Sequence, residues 1–193
     1  MAAKHGNSKA MIKKEIIDFL NSSSGQIDPK LGKYSCGIIH RNCLVLATSA
    51  KDIPRATVLE FFNEGLTIYI FGEPGGKIAN IKRNSQVSAV VYEQPLDHSR
   101  LQKNLQIFGK ADLINVRNNA RLFRSKIKKW NIETVMKRIM FSMIREKNLS
   151  DEEAEKFFKK GVESLNVIKI SPHHIILKEY HTDLSMKKYE WKK

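Results

Sequence analysis

The residues best suited to chemistry lie between Leu66 and Asn84, where an apolar run gives way to Gly72-Glu73-Pro74-Gly75-Gly76 and then to Lys77. Glycines let the backbone approach an anion closely, and successive N–H groups in such a loop make a concave anion site. The residues after it, Lys77 to Asn84, suit a short helix whose positive N-terminal end would face the same point. Lys77 adds a compact positive charge, and Arg55, at the start of a neighbouring apolar run, could hold a phosphate with two parallel hydrogen bonds. Together Arg55, Gly76 and Lys77 read as one phosphate site. On spacing alone a plain turn with a solvated lysine is the better reading, because the loop is neither GxGxxG nor a P-loop.

Other reactive types offer less. His173 and His174 would point to opposite faces of a strand and could not share a metal there. Met136, Met140 and Met143 fall on one helical face with Ile139 and Ile144 nearby, which reads as core. The runs Lys126 to Lys129 and Lys159-Lys160 read as solvated helix faces. No catalytic triad, Cys-His pair or carboxylate pair stands out.

The elements that must position Arg55 and Lys77 are short and β-rich. A helix is expected over Lys9 to Asn21, from Met11, Ile12, Ile16, Phe19 and Leu20 at helical spacing. Strands are expected at Cys43–Thr48, Arg55–Phe62, Leu66–Phe71 and Gln86–Tyr92, with turns at Ala50 to Pro54 and at Asn63-Glu64-Gly65. A linker at 93–100 containing Pro95 leads to strands at Leu101–Phe108 and Lys110–Asn115, meeting at Gly109. Residues 116–165 are helical in character, and Ser150 with Glu153 forms a capping box. Closing strands are expected at Asn166–Ile170 and His174–Tyr180, joined across Ser171-Pro172. Hairpin-length connections mean an antiparallel meander or barrel, because a parallel sheet needs helical crossovers.

Bulk composition narrows the class. A chain of 193 residues with 41% apolar content favours one domain that needs neither disulfide nor metal. Cys36 and Cys43 fit no zinc or redox spacing and read as reduced, buried residues. No apolar stretch approaches a membrane span, and the polar, basic N-terminus is no signal peptide, so a soluble cytoplasmic protein without membrane contact is expected. A net charge of +14 attracts anions in general.

Several of these pieces, in this order, resemble the FMN-binding split-barrel family of pyridoxamine 5′-phosphate oxidase-like proteins. They are Leu46-Ala47-Thr48, Asp52-Ile53-Pro54-Arg55, Leu66 to Phe71, Lys77-Ile78-Ala79-Asn80-Ile81-Lys82-Arg83-Asn84 and Val87 to Val90. Gln106 to Ala111 and Ile170-Ser171-Pro172 resemble the family's later strands. The resemblance implies a mainly β fold with helices: a six-stranded antiparallel split barrel over 33–115, with an N-terminal helix, a helical insertion at 116–165 and closing strands at 166–180. It also implies a homodimer with FMN at the subunit interface. Arg55 and Lys77 would hold the FMN phosphate beside Gly76, with Asn80 as the asparagine of the family's lysine motif. Thr57 and Val58 would meet the isoalloxazine edge through their main chain. Phe71 and Gly72 would line the ribityl chain or ring, and Gln106 would reach the flavin with its side chain.

The sequence departs from the family at three places. Ile53 stands where the turn usually has glycine, and Ser85 where a proline usually follows the asparagine. The tail His181 to Lys193 lacks the Arg-x-His that grips substrate phosphate in pyridoxamine phosphate oxidases proper, so vitamin B6 oxidation is not the expected reaction. The expectation is an FMN-dependent oxidoreductase or flavin reductase, with NAD(P)H or another electron donor and no catalytic side chain named, since the flavin carries the chemistry. The alternatives are a non-catalytic flavin or haem binder, with F420 and haem as the other cofactors. A nucleic-acid-binding protein is the least expected class, because the lysine runs lack interleaved aromatics or a reading helix.

Overall fold

The computed structural model describes residues 8–27, 38–93 and 101–193. Cys36, Pro95 and the start of the barrel expected at residue 33 lie outside the described residues. Helix α1 (Lys9–Ser23) begins where Ser8 accepts a hydrogen bond from the Met11 N–H at 3.2 Å, and it buries Ile16, Phe19 and Leu20. Strands β1 (Gln26–Ile27) and β2 (Ile38–Ile39) form a separate antiparallel pair.

All other strands belong to one antiparallel sheet of eight. Strands β3 (Leu44–Ala50), β4 (Ile53–Leu59), β5 (Phe62–Glu64) and β6 (Thr67–Gly72) precede helix α2 (Gly76–Arg83). Strand β7 (Gln86–Tyr92) and the long β8 (Gln102–Ile114) follow, then helices α3 (Ala120–Lys129), α4 (Ile132–Glu146) and α5 (Asp151–Ser164). The long β9 (Asn166–Tyr180) and β10 (Met186–Lys192) complete the chain. The hydrogen-bonded order is β4-β3-β7-β8-β9-β6-β5, with β10 also on β9. This is the antiparallel, open sheet of a split barrel, with two strands more than the six expected.

Several boundaries differ from the sequence reading, each for a local reason. The hairpin turn between β3 and β4 is Lys51-Asp52, with φ of 53° and 60°. Ile53 therefore belongs to β4 rather than to the turn, which is why this position needs no glycine. The run Arg55–Phe62 is not one strand but breaks at Glu60-Phe61, where the Phe61 carbonyl accepts from the Gly25 N–H at 2.8 Å. Gly109 and Ser171-Pro172 do not separate strands. They face each other at a register shift in one continuous β8·β9 ladder, and a Cβ on Gly109 would lie 2.8 Å from the Ser171 carbonyl oxygen.

The lysine-rich tail forms β10. Tyr189 and Trp191 pack on the main core while Lys188, Glu190 and Lys192 alternate outward. The buried Glu179 on β9 anchors this strand: Lys103 Nζ lies 2.6 Å away, and the Tyr189 hydroxyl donates to it at 3.1 Å. Cys43 is exposed rather than buried, because it directly precedes the inward Leu44 of β3. Met136 and Met140 are buried, but Met143 and Ile139 are exposed, so the methionine stripe is core only in part.

Two apolar clusters organise the molecule. One joins α1, α2 and the inner faces of β3, β7, β8 and β9, around Leu44, Leu46, Ile107, Ile170 and Ile175. The other lies under the three inserted helices, around Phe62, Tyr69, Phe123, Trp130 and Met140. Between α3 and the sheet, Glu64 receives Lys126 Nζ at 2.6 Å on both oxygens and Lys129 Nζ at 2.6 Å. Burial pushes the Glu64 carboxyl up, but the hydrogen bonds from Lys126, Lys129 and Tyr69 outweigh it and bring the group to about 2. The capping box at Ser150 and Glu153 is formed as expected and starts α5. Among the described residues, no helix is long and apolar enough to cross a membrane.

Candidate functional site

Strand β6 ends at Gly72, and α2 starts four residues later with Gly75 as its N-cap and no side chain capping it. The N–H groups of the first turn therefore keep their hydrogen-bonding capacity for another partner. Ile78 and Ile81 bury one face of α2, and the Asn80 amide donates to the Thr48 hydroxyl of β3 at 3.2 Å. These contacts fix the helix start against the β3–β4 edge. In the structure Asn80 is thus bonded to the strand.

Arg55 is the register partner of Thr48, so it projects to the face on which α2 lies. A Cβ on Gly76 would sit 2.6 Å from Arg55 Nη1 and 2.9 Å from Cζ. A Cβ on Gly72 would sit 2.9 Å from Lys77 Cε and 3.5 Å from Nζ. The two glycines thus form a cradle that any side chain would fill, and two cations lie in it. Among the described residues, neither cation has a carboxylate partner. Two neighbouring, unpaired positive charges beside an uncapped helix start can hold a phosphate, and they repel each other without one.

The other expected residues divide by face. Thr57 opposes Leu46 and so shares the Arg55 face, whereas Val58 opposes Val45 and points the other way. Gln106 opposes Val90, itself opposite Val45, and so shares the Val58 face three strands away, roughly 14 Å in the hydrogen-bonding direction. Phe71 turns from the cradle toward the inserted helices, with its ring 5.7 Å from Phe62 and 5.9 Å from Trp130. The structure therefore brings Arg55, Thr57, Gly72, Gly76 and Lys77 to one face and turns the side chains of Val58, Phe71 and Gln106 elsewhere, while the Val58 main chain stays on the same free edge of β4 as Arg55 and Thr57.

Strand β4 is the end of the sheet and pairs only with β3, so alternate main-chain groups along it are free to bond outward. Its Ile53 is 69% exposed and its Val58 66%. Val45, Val90 and Tyr92 continue the exposed apolar face of Val58 across β3 and β7, whereas Ile53 lies on the Arg55 face. His174 has a structural partner, with Nε2 2.8 Å from Glu190, and stacks on Phe108 at 5.3 Å. Among the described residues, no group of three or more His, Cys, Asp or Glu could hold a metal ion.

The sequence profile of one family, pyridoxamine 5′-phosphate oxidase, matches residues 33–177. Among solved structures, PhzG from Burkholderia lata 383, in complex with tetrahydrophenazine-1-carboxylic acid, is 13% identical with a TM-score of 0.50, over 79% of this chain and 77% of that one. General stress protein 26 from Bacillus anthracis is 18% identical with a TM-score of 0.48, over 91% of this chain and 97% of that one. A FAD-binding protein from Mesorhizobium loti is 17% identical with a TM-score of 0.47, over 72% of this chain and 86% of that one. No curated protein matches the sequence.

Proposed function

The chain belongs to the pyridoxamine 5′-phosphate oxidase family, and on that premise we propose that it binds FMN as a homodimer and works as an FMN-dependent oxidoreductase or flavin reductase. The observation that carries the reading is the cradle of Gly72 and Gly76 with the unpaired Arg55 and Lys77. A phosphate monoester answers its two positive charges; an uncharged riboflavin would leave them unsatisfied. When bound, FMN supplies hydride or electron exchange at its ring.

The chain's own groups bind and orient. Arg55 and Lys77 neutralise the phosphate, the first-turn N–H groups of α2 add to its coordination, and Asn80 holds the helix start on β3. Thr57, on the same face two residues beyond Arg55, offers main-chain groups at the free edge of β4. On this reading the flavin carries the redox chemistry, and the protein contributes binding and orientation.

The division of residues between two faces supports a dimer. The Gln106 side chain, on the opposite face of the sheet, cannot reach a ligand held by Arg55 within one chain. A second copy laid along β4 would cover Val58, Val45 and Val90 and bring that other face to the flavin. Residues 1–193 would then act as one domain, with the inserted helices α3 to α5 beside the site.

The test is the visible spectrum of the purified protein, followed by mass identification of the released chromophore. Flavin bands and the mass of FMN support the reading, and a Soret band would replace FMN by haem. A colourless protein that takes up no added FMN refutes it. In the double variant Arg55→Ala with Lys77→Ala, FMN retention is lost while the fold persists; unchanged retention would refute the assignment of the cradle.

A further inference from the structure

The loop between β6 and α2 has a second flank. Gly76 faces Arg55, and Ile78, two residues on, lies on the opposite side of the helix. There a cavity of about 260 Å³ opens between Pro74, Ile78 and Lys82 and the chain segments around Arg117 and Asn166. It is smaller than an ordinary small-molecule site, which suits an extension of the cradle better than a separate pocket.

Asn166 joins the two. It is the register partner of Gly72, so its side chain stands on the same face as the Lys77 chain lying over Gly72. Asn166 is only 7% exposed, and its Oδ1 accepts from Asn115 Nδ2 at 3.2 Å. Asn115 is held in turn, because the N–H groups of Arg117 and Asn118 donate to its Oδ1 at 3.0 and 3.1 Å. The Asn166 amide is therefore fixed in one orientation. Its Nδ2 has no partner among the described residues and is not sealed from solvent. A fixed donor in a buried residue that lines a cavity is hydrogen-bonding capacity left for an acceptor from outside.

The charges around it favour an anion. Lys82 and Arg117 line the same cavity, both exposed and neither with a carboxylate partner among the described residues. Glu163 also lines it, exposed and unpaired, so the lining keeps a net positive charge. Donors thus follow one another from Arg55 past the uncapped start of α2 to Lys77, Asn166 and Arg117. A single phosphate in the cradle uses only the first part of this row.

We infer that the rest of the row binds the second phosphate of a dinucleotide, so that the site takes FAD as well as FMN. The inference rests on the flavin reading for its first phosphate and goes beyond it in the second. The cavity is too small for a whole nucleotide, so the adenosine lies outside it.

The experiment is equilibrium dialysis of the full-length protein, freed of bound flavin, against FMN and against FAD. Both are expected to bind. Replacing the two exposed cations, Lys82→Ala with Arg117→Ala, lowers FAD affinity about tenfold, the lower end for a hydrogen bond to a charged group, and leaves FMN affinity unchanged. Glu163→Gln removes the opposing charge and raises the affinity for FAD but not for FMN, a gain that loosening of the fold would not give. No binding of FAD where FMN binds, or a double variant that weakens both flavins alike or neither, overturns the inference and leaves the FMN reading standing. FAD binding that responds to the double variant, with no binding of FMN, overturns the FMN reading alone. A protein that takes up neither flavin overturns both.

Discussion

Replacing Glu64 by Gln tests how the inserted helices are fastened to the sheet. Glu64 sits on β5 and receives two lysines of α3, one of which, Lys126, is 9% exposed at its side chain and lies 4.4 Å over the Tyr69 ring. A carboxyl moved from 4.5 to about 2 corresponds to a ceiling of roughly 3 kcal/mol of folded-state stabilisation. Glu64 is 29% exposed, and water screening brings the expected contribution to about 1–2 kcal/mol. The sign follows from the direction of the shift. The folded state binds this proton more weakly than the unfolded chain, so the stabilisation is complete above about pH 4.5 and is lost as pH falls toward about 2. Urea unfolding, followed by tryptophan fluorescence, to which Trp130 beside both lysines and Trp191 contribute, is to be measured for both proteins between pH 7 and pH 3. Glu64→Gln is expected to unfold about 1–2 kcal/mol more easily at pH 7, and the gap narrows progressively below pH 4.5. No gap at neutral pH, or a gap that persists undiminished at pH 3, would refute the reasoning.

Two glycines give opposite expectations. Gly76→Ala places a methyl against the flexible tip of Arg55; thermal stability should change by less than about 0.5 kcal/mol, while FMN affinity falls at least as far as in Arg55→Ala. Equilibrium dialysis with FMN checks this, and undiminished affinity would remove Gly76 from the site. Gly109→Ala drives a methyl into the Ser171 backbone instead, and a cost of about 2 kcal/mol or more is expected from chemical denaturation, since backbone cannot step aside as a side chain does.

Much of this protein is legible in its sequence because the signals are local. Alternation and turn residues mark the β3, β6 and β7 strands, helical spacing marks α1, and Ser150 with Glu153 marks the start of α5. The glycines, Lys77 and Arg55 are likewise readable, since the residue types an anion site requires are few. The strand β10 was available in the alternation of Tyr189 and Trp191 but is masked by the lysines around them. Those lysines suit an edge strand, which needs charge to stay unpaired.

Tertiary structure alone decides the rest. Whether Phe71 faces the cradle or the inserted helices depends on which side of β6 each apolar cluster lies, and no local pattern records that. The same holds for Val58 and Gln106, whose shared face follows from register across β3, β7 and β8. The sequence by itself determined an antiparallel sheet carrying a glycine-lined pair of cations. Only the folded chain decided that neither cation has a carboxylate partner among the described residues, and that an aromatic cavity opens behind the same strand. Strand and helix signals extend over a few residues, whereas side-chain neighbours across a sheet come from pairings such as Ile68 with Ile170, far apart in the chain.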